Sequence, residues 1–158
     1  MRPMYQGPVA RRTSGRAGLR CNAHRPSVAR SPDFACRDAL AQKKAEGPFP
    51  YPDFNPTQPD PSKLPLIAPF LAKTATTFET WAREMQALGQ PPTGRAAWAD
   101  LVRAVESHAR IASEHAAAAQ SGDTETFTKD YYEGTETQDV LLAAANVAGV
   151  PECAAVDR

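Results

Sequence analysis

Two stretches decide the fold: LIAPFLAKTATTFETWAREMQAL (66–88) and RAAWADLVRAVESHARIASEHAAAAQS (95–121). In each stretch apolar residues recur at intervals of three and four, which is the spacing of one buried helix face. The residues between them include Gly89, Pro91 and Pro92, which end a helix, so the stretches predict two long antiparallel neighbours. The inward-facing residues are Ile67, Phe70, Leu71, Thr74, Phe78, Trp81, Met85 and Leu88 in the first stretch, and Trp98, Leu101, Val102, Val105, Ala109, Ala112, Ala116 and Ala119 in the second.

Two further helices flank this pair. A fourth helix begins after Asp123, a residue suited to the N-cap, although Gly134 and nearby threonines weaken the helical pattern in its middle. A short first helix begins after Ser31 and ends at Gly47. We therefore predict an all-α fold: an up-down antiparallel bundle of about four helices within residues 31–155, with a short first helix.

A proline-rich segment separates the first two helices. Residues 48–65 (PFPYPDFNPTQPDPSKLP) contain seven prolines interleaved with Phe49, Tyr51 and Phe54. Proline at this density excludes helix and sheet pairing and favours an extended, polyproline-like chain. We interpret the segment as a rigid strap whose aromatic side chains cover the bundle. The alternatives are a polyproline ligand or the wall of a groove.

Residues 1–30 differ in composition from the rest of the chain. They hold seven arginines, no acidic residue and no apolar periodicity, which predicts a disordered basic arm. No apolar stretch long enough for a secretory signal is present in them. Three interpretations stay open: an arm that contacts anionic surfaces, a transit-like peptide, or a mis-called start that replaced a true signal sequence.

Charge and hydropathy limit the partners. The seven arginines are part of 18 basic residues, so 11 basic residues face 18 acidic ones in residues 31–158. An acidic body binds phosphate poorly, which argues against nucleic acid as a partner. The chain has no run of 18 apolar residues, and no transmembrane segment is predicted.

Two of the three cysteines bracket the predicted bundle. Cys36 lies near the start of the first helix and Cys153 follows the fourth, and an antiparallel four-helix arrangement brings these points to the same end. We therefore predict a Cys36–Cys153 disulfide, worth roughly 4–5 kcal/mol in the chain-entropy model, and with it an oxidising compartment. The alternative is two unrelated buried thiols. An intracellular protein with a basic arm would leave both cysteines free.

Short motifs resemble those of small secreted proteins and lipoproteins of actinobacteria. These motifs are DFACRDAL (33–40), the turn AAQSGD (118–123) and the ending AGVPEC (148–153). The resemblance implies an envelope location and a disulfide, but no activity, since these proteins are functionally uncharacterised. Cys21 stands where a lipidated cysteine would be expected, yet the preceding AGLR (17–20) matches a lipobox poorly.

His108 and His115 are the clearest candidates for a functional site. They lie seven residues apart on one helix face, about 10 Å along the axis, so they cannot share one metal ion as an i,i+4 pair can. A metal or haem would need partners from other helices, for which Glu84 and Asp139 are candidates. The simpler interpretation is that both histidines pack at the edge of the core.

No cofactor fingerprint and no catalytic set is recognisable, so no cofactor and no catalytic residue is predicted. The best functional prediction is a non-enzymatic, extracytoplasmic bundle that acts as a binding or structural module of the cell envelope, with a protein or envelope partner. The alternative is a metal- or haem-binding four-helix bundle that uses His108 and His115.

Overall fold

The computed structural model describes residues 31–156, and these form a helical bundle. The helices are α1 (Pro32–Glu46), α2 (Leu64–Ala87), α3 (Arg95–Ser121) and α4 (Thr124–Val147), followed by a short 3₁₀ helix (Pro151–Ala155). The described part of the chain has no β-strand, and the predicted fold class is confirmed. The predicted basic arm and Cys21 lie outside the described residues.

The helices begin and end at residues whose chemistry favours a boundary. The side chains of Ser31 and Asp123 accept hydrogen bonds from the backbone N–H groups of Phe34 and Thr126, which caps α1 and α4. α2 begins two residues earlier than predicted, because a proline in the first turn of a helix costs no hydrogen bond. α4 continues through Gly134, where α3 packs alongside it.

Cross-helix contacts fix the antiparallel register. α3 lies between α2 and α4, and α1 packs against α2 and the 3₁₀ helix. As residue numbers rise along α3, the numbers of the contacting residues on α2 and on α4 fall, which is the pattern of antiparallel neighbours. The pairs are Glu79–Ser113 and Gln86–Glu106 for α2 with α3, and Arg110–Glu133 and His108–Thr137 for α3 with α4.

The apolar core has two separate parts. The first lies around the two cysteines and includes Trp81, Met85, Leu101 and Leu141. The second lies at the opposite end of the long helices and consists of Leu64, Ile67, Ala68, Ala118, Ala119 and Phe127. On α2, α3 and α4, most of the residues that line a cavity fall between the two parts in the sequence, and Phe78 belongs to both the first part and the cavity wall.

The predicted disulfide is present. It joins Cys36 of α1 to Cys153 of the 3₁₀ helix, with the two Cα atoms 4.8 Å apart and both residues fully buried. Beside it Arg37 and Glu152 form an exposed ion pair, which adds little. The disulfide and the 3₁₀ helix hold α1 against the end of α4, which α1 itself contacts little.

The proline-rich strap packs as predicted but has a different backbone. Phe49 and Phe54 contact the second part of the core, whereas Tyr51 is more than a third exposed. The predicted extended conformation is wrong, because the segment forms successive tight turns. The side chains of Asn55 and Asp60 accept hydrogen bonds from backbone N–H groups within these turns. The number of prolines did not reveal these local hydrogen bonds.

None of the helices in residues 31–156 is long and apolar enough to cross a membrane.

Candidate functional site

A cavity of about 200 Å³ lies between the two parts of the core, and we call it the central cavity. Residues of all four helices line it, and α1 contributes only its last turn because it ends at Glu46. More than half of the residues that line it are polar. Its polar side chains are those of Lys43, Thr74, His108, His115, Asp130, Tyr131, Thr135 and Gln138.

Asp130 is the buried acid of this cavity. The residue is 1% exposed, and its Oδ2 atom has no hydrogen-bond partner in the protein. Its Oδ1 atom lies 4.0 Å from the Nζ atom of Lys129, a largely exposed side chain. Burial raises the pKa of Asp130, the carboxylates of Glu114 and Glu133 raise it further, and Lys129 and Arg110 oppose the shift. Asp130 is therefore a carboxyl group with unmet hydrogen-bonding capacity.

His115 lies opposite Asp130 in the register that the His108–Thr137 pair defines. Its Nε2 atom is buried and also lacks a hydrogen-bond partner. The ring packs against Phe127, with 4.0 Å between the ring centroids. Burial lowers the pKa of His115 to about 4, so the imidazole is neutral at pH 7. Although the register places them across from each other, no hydrogen bond joins His115 to Asp130.

His108 is held in place by its neighbours. Its Nδ1 atom lies 3.3 Å from the hydroxyl oxygen of Thr137, and its ring stands edge-on to Phe78. The Thr137 hydroxyl has one proton, which it donates to a backbone carbonyl of Glu133 or Gly134. The Nδ1 atom of His108 is then the donor to Thr137. This environment agrees with a histidine that packs at the edge of the core.

The structure brings the two predicted histidines to one cavity, but without a set of metal ligands. Within residues 31–156 no group of three or more His, Cys, Asp and Glu side chains is arranged to hold a metal ion. Glu84 and Asp139, the partners suggested by the sequence, do not line the cavity. The metal-binding alternative therefore has no ligand set in the described part of the chain.

Lys43 and Glu46 form a compensated pair at the rim of the cavity. The Glu46 side chain is 1% exposed and accepts hydrogen bonds of 2.6 Å from the hydroxyls of Thr74 and Thr77. Burial alone would raise the pKa of Glu46, but these hydroxyls and the nearby Lys43 together lower it. The Lys43 ammonium lies 3.4 Å from Glu46 and 5.4 Å from the ring centroid of Phe78. The charge of Lys43 is therefore already balanced.

A second, apolar pocket adjoins the central cavity, and we call it the aromatic pocket. It has a volume of about 260 Å³ and lies between the strap and the second part of the core. Leu71, His115 and Tyr131 line both spaces, so the two are neighbours. The remaining walls of the aromatic pocket are Phe49, Phe54, Pro56, Ile67 and Phe127.

The sequence pattern indicated the two histidines but not Asp130 or Glu46. One signal was available for Asp130: it stands three residues after Phe127 and four before Gly134, on the inward side of α4. An acidic residue at an inward position of a helix is rarely buried without a partner. Glu46 carried no comparable signal, because its partners come from α2.

The arrangement suits recognition of a molecule with one polar and one apolar end. Two residues that line the central cavity, His115 and Asp130, each have a buried atom without a hydrogen-bond partner, and the aromatic pocket offers apolar surface next to them. No protein-family model matches this chain, and no curated protein or solved structure matches it either.

Proposed function

We propose that this chain is a non-enzymatic binding protein that works outside the cytoplasm, secreted or in the cell envelope, and that binds a small molecule in the central cavity. One observation carries the proposal: His115 and Asp130 line one cavity, and the Nε2 atom of the first and the Oδ2 atom of the second are buried without hydrogen-bond partners. A buried polar atom without a partner costs roughly 1–3 kcal/mol. A ligand that supplies both hydrogen bonds would remove this cost in the bound state.

The disulfide supports the proposed compartment. Disulfides persist in oxidising compartments and are rare in the cytosol. The Cys36–Cys153 bridge is fully buried and closes the whole bundle, as a lasting structural bridge does. The motifs that resemble those of small secreted actinobacterial proteins support the same location.

Binding fits the chemistry of the cavity better than catalysis does. A general base works best when its pKa lies near the operating pH. A histidine with a pKa of about 4 is a weak base at pH 7. Burial raises the pKa of Asp130 towards the operating pH, but its Oδ2 atom has no hydrogen-bonded group in the protein that it could activate. The two described cysteines, which would be the strongest nucleophiles, form the disulfide.

A ligand screen with a matched pair of variants tests the proposal. Thermal unfolding of the oxidised full chain is measured with small amines, carboxylates, alcohols and sugars. Ala112→Leu fills part of the central cavity, and Ala117→Leu makes the same change at an exposed position of α3. A ligand of the cavity raises the Tm of the wild type and of Ala117→Leu but not of Ala112→Leu. The absence of any such compound in all four classes would contradict the proposal.

The same preparation tests the alternative that His108 and His115 bind a metal or haem, because both line the cavity. Absorbance and metal analysis of the purified protein are expected to show neither a Soret band nor stoichiometric metal. Either signal, if lost in His108→Ala, would favour the alternative.

Thiol titration of the denatured, unreduced protein tests the compartment: Cys36 and Cys153 are expected to be unreactive, and three free thiols would contradict an oxidising location.

A further inference from the structure

We infer that the ligand is an organic cation, a protonated amine that carries an apolar group, with its ammonium on Asp130 and its apolar group in the aromatic pocket. This inference rests on the proposed function and adds the chemical class of the ligand. Its starting point is the balance of charge in the cavity. Lys43 is paired with Glu46, and His115 is neutral, so neither compensates the negative charge of Asp130. The counter-ion nearest to Asp130 is the largely exposed Lys129, at 4.0 Å from Oδ1, and Oδ2 has no hydrogen-bond partner.

The charges that surround Asp130 do not remove this imbalance. On α4 its neighbours are Lys129, at 4.0 Å and largely exposed, and Glu133. From α3 the groups are Arg110, Glu114 and His115, and Arg110 is bonded to both Glu114 and Glu133. α1 contributes Lys43 to the cavity, and α2 contributes the hydroxyl of Thr74 and no charge. A bound cation would compensate Asp130 directly.

Hydrogen-bonding capacity points to an ammonium in particular. Both oxygens of a carboxylate accept hydrogen bonds, and the Nε2 atom of a neutral imidazole accepts one when its proton is on Nδ1. An ammonium group has donors for both Asp130 Oδ2 and His115 Nε2, which lie opposite each other in the helix register. A metal ion would need further ligands, and residues 31–156 provide no such set. An anionic ligand would be repelled by Asp130.

The aromatic pocket specifies the rest of the molecule. It begins at His115, next to the proposed ammonium position, and its walls include the rings of Phe49, Phe54 and Phe127. Phe54 meets Phe127 edge-on at 5.7 Å, so the pocket is built of packed rings. Apolar groups gain by leaving water for such a surface, and cations are attracted to ring faces nearby. An alkyl or aralkyl amine places its ammonium in the central cavity and its apolar group in the aromatic pocket.

Four probes of related shape separate the contributions. Isothermal titration of the oxidised full chain near neutral pH uses phenethylamine, its neutral isostere 2-phenylethanol, the anion 3-phenylpropionate, and ethylamine, which lacks the apolar group. Phenethylamine is expected to bind at one site, and the other three to bind about tenfold or more weakly. Its affinity is expected to rise with pH as Asp130 loses its proton.

Two variants with the same change in charge locate the ammonium. Asp130→Asn is expected to weaken phenethylamine binding by about 10- to 100-fold, the range for a hydrogen bond to a charged group. Asp139→Asn, on an exposed part of the same helix, is expected to change it little. Circular dichroism and the Tm confirm that both variants are folded. Phe54→Ala is expected to weaken phenethylamine and leave ethylamine unchanged.

The outcomes distinguish this inference from the proposed function. If 2-phenylethanol or 3-phenylpropionate binds as tightly as phenethylamine and Ala112→Leu abolishes that binding, the cavity is a binding site but the cation assignment is wrong. Equal losses in Asp130→Asn and Asp139→Asn would also overturn the assignment, because they would show a general effect of charge. If no probe and no compound of the wider screen binds, the proposed function itself fails.

Discussion

Replacing Asp130 by asparagine is expected to stabilise the ligand-free protein, although it removes the proposed anchor of the ligand. Asparagine has nearly the same shape as aspartate and carries no charge that must be removed from water. In the folded protein Asp130 is 1% exposed, and one of its oxygens has no partner. The charge is therefore a cost to the folded state, which asparagine avoids.

The magnitude follows from the contacts of the side chain. An unpartnered buried polar group costs about 1–3 kcal/mol. The contact with Lys129 is long and involves a largely exposed lysine, so it offsets at most about 0.5 kcal/mol. The amide of asparagine is still a buried polar group, which takes back part of the gain. We expect a net stabilisation of about 1 kcal/mol, or about 3–5 °C in Tm.

The raised pKa of Asp130 determines how the stability gained in Asp130→Asn changes with pH. A carboxyl group whose folded pKa is raised destabilises the folded state fully above that pKa. As the pH falls from the folded pKa to the unfolded one, the group is protonated in the folded state first, and the penalty disappears. The advantage of Asp130→Asn is therefore largest near neutral pH and closes towards the ordinary pKa of aspartate. The neighbours that titrate or carry charge are Lys129, Glu133, Glu114, Arg110, His115 and Lys43.

Urea unfolding of the oxidised protein over a series of pH values measures this difference. Asp139→Asn, the exposed change on the same helix, is expected to follow the wild type throughout. A loss of stability of 1 kcal/mol or more in Asp130→Asn near neutral pH would refute the reasoning, since it would mean that the carboxylate has a stabilising partner.

Three other predictions concern the framework around the cavity. Replacing Cys36 and Cys153 by serine should lower the free energy of unfolding by about 4 kcal/mol, which chemical denaturation measures against the oxidised wild type. Gly134→Ala should raise it by about 0.5–1 kcal/mol, because the new methyl group meets only Ile111 at an ordinary 3.7 Å; a lower Tm would mean that α4 cannot accept a side chain there. Thr77→Val should cost about 1 kcal/mol near neutral pH and much less in acid, since Glu46 loses a donor that lowers its pKa; an equal loss at every pH would contradict this cause.

The helices could be predicted because their signals are local. Apolar spacing marked the inner faces of α2 and α3, and cap residues such as Ser31 and Asp123 marked the starts of α1 and α4. The disulfide followed from the same logic, because an even number of antiparallel helices returns the chain to its starting end. The backbone of the strap did not follow, since its turns depend on side-chain bonds of Asn55 and Asp60.

The cavity could not be predicted because it depends on where the elements meet. α1 ends at Glu46 and contributes a single turn to the cavity wall. This depends both on the length of α1 and on where α1 packs along α2. The sequence placed His108 and His115 on one face but could not reveal which face of α4 they meet. Whether Asp130 has a partner is likewise a property of the packed structure, and only its inward position was visible in the pattern.

The position of the disulfide also decides how the bundle responds to mechanical force. Cys36 and Cys153 lie near the two ends of the described structure, and 117 positions separate them in the sequence. Tension applied to the chain outside these residues passes from one cysteine to the other through a covalent bond. α2, α3, α4 and the part of α1 that follows Cys36 lie within the bridged loop and carry no load. The cavity therefore keeps its shape under pulling for as long as the bridge stays oxidised.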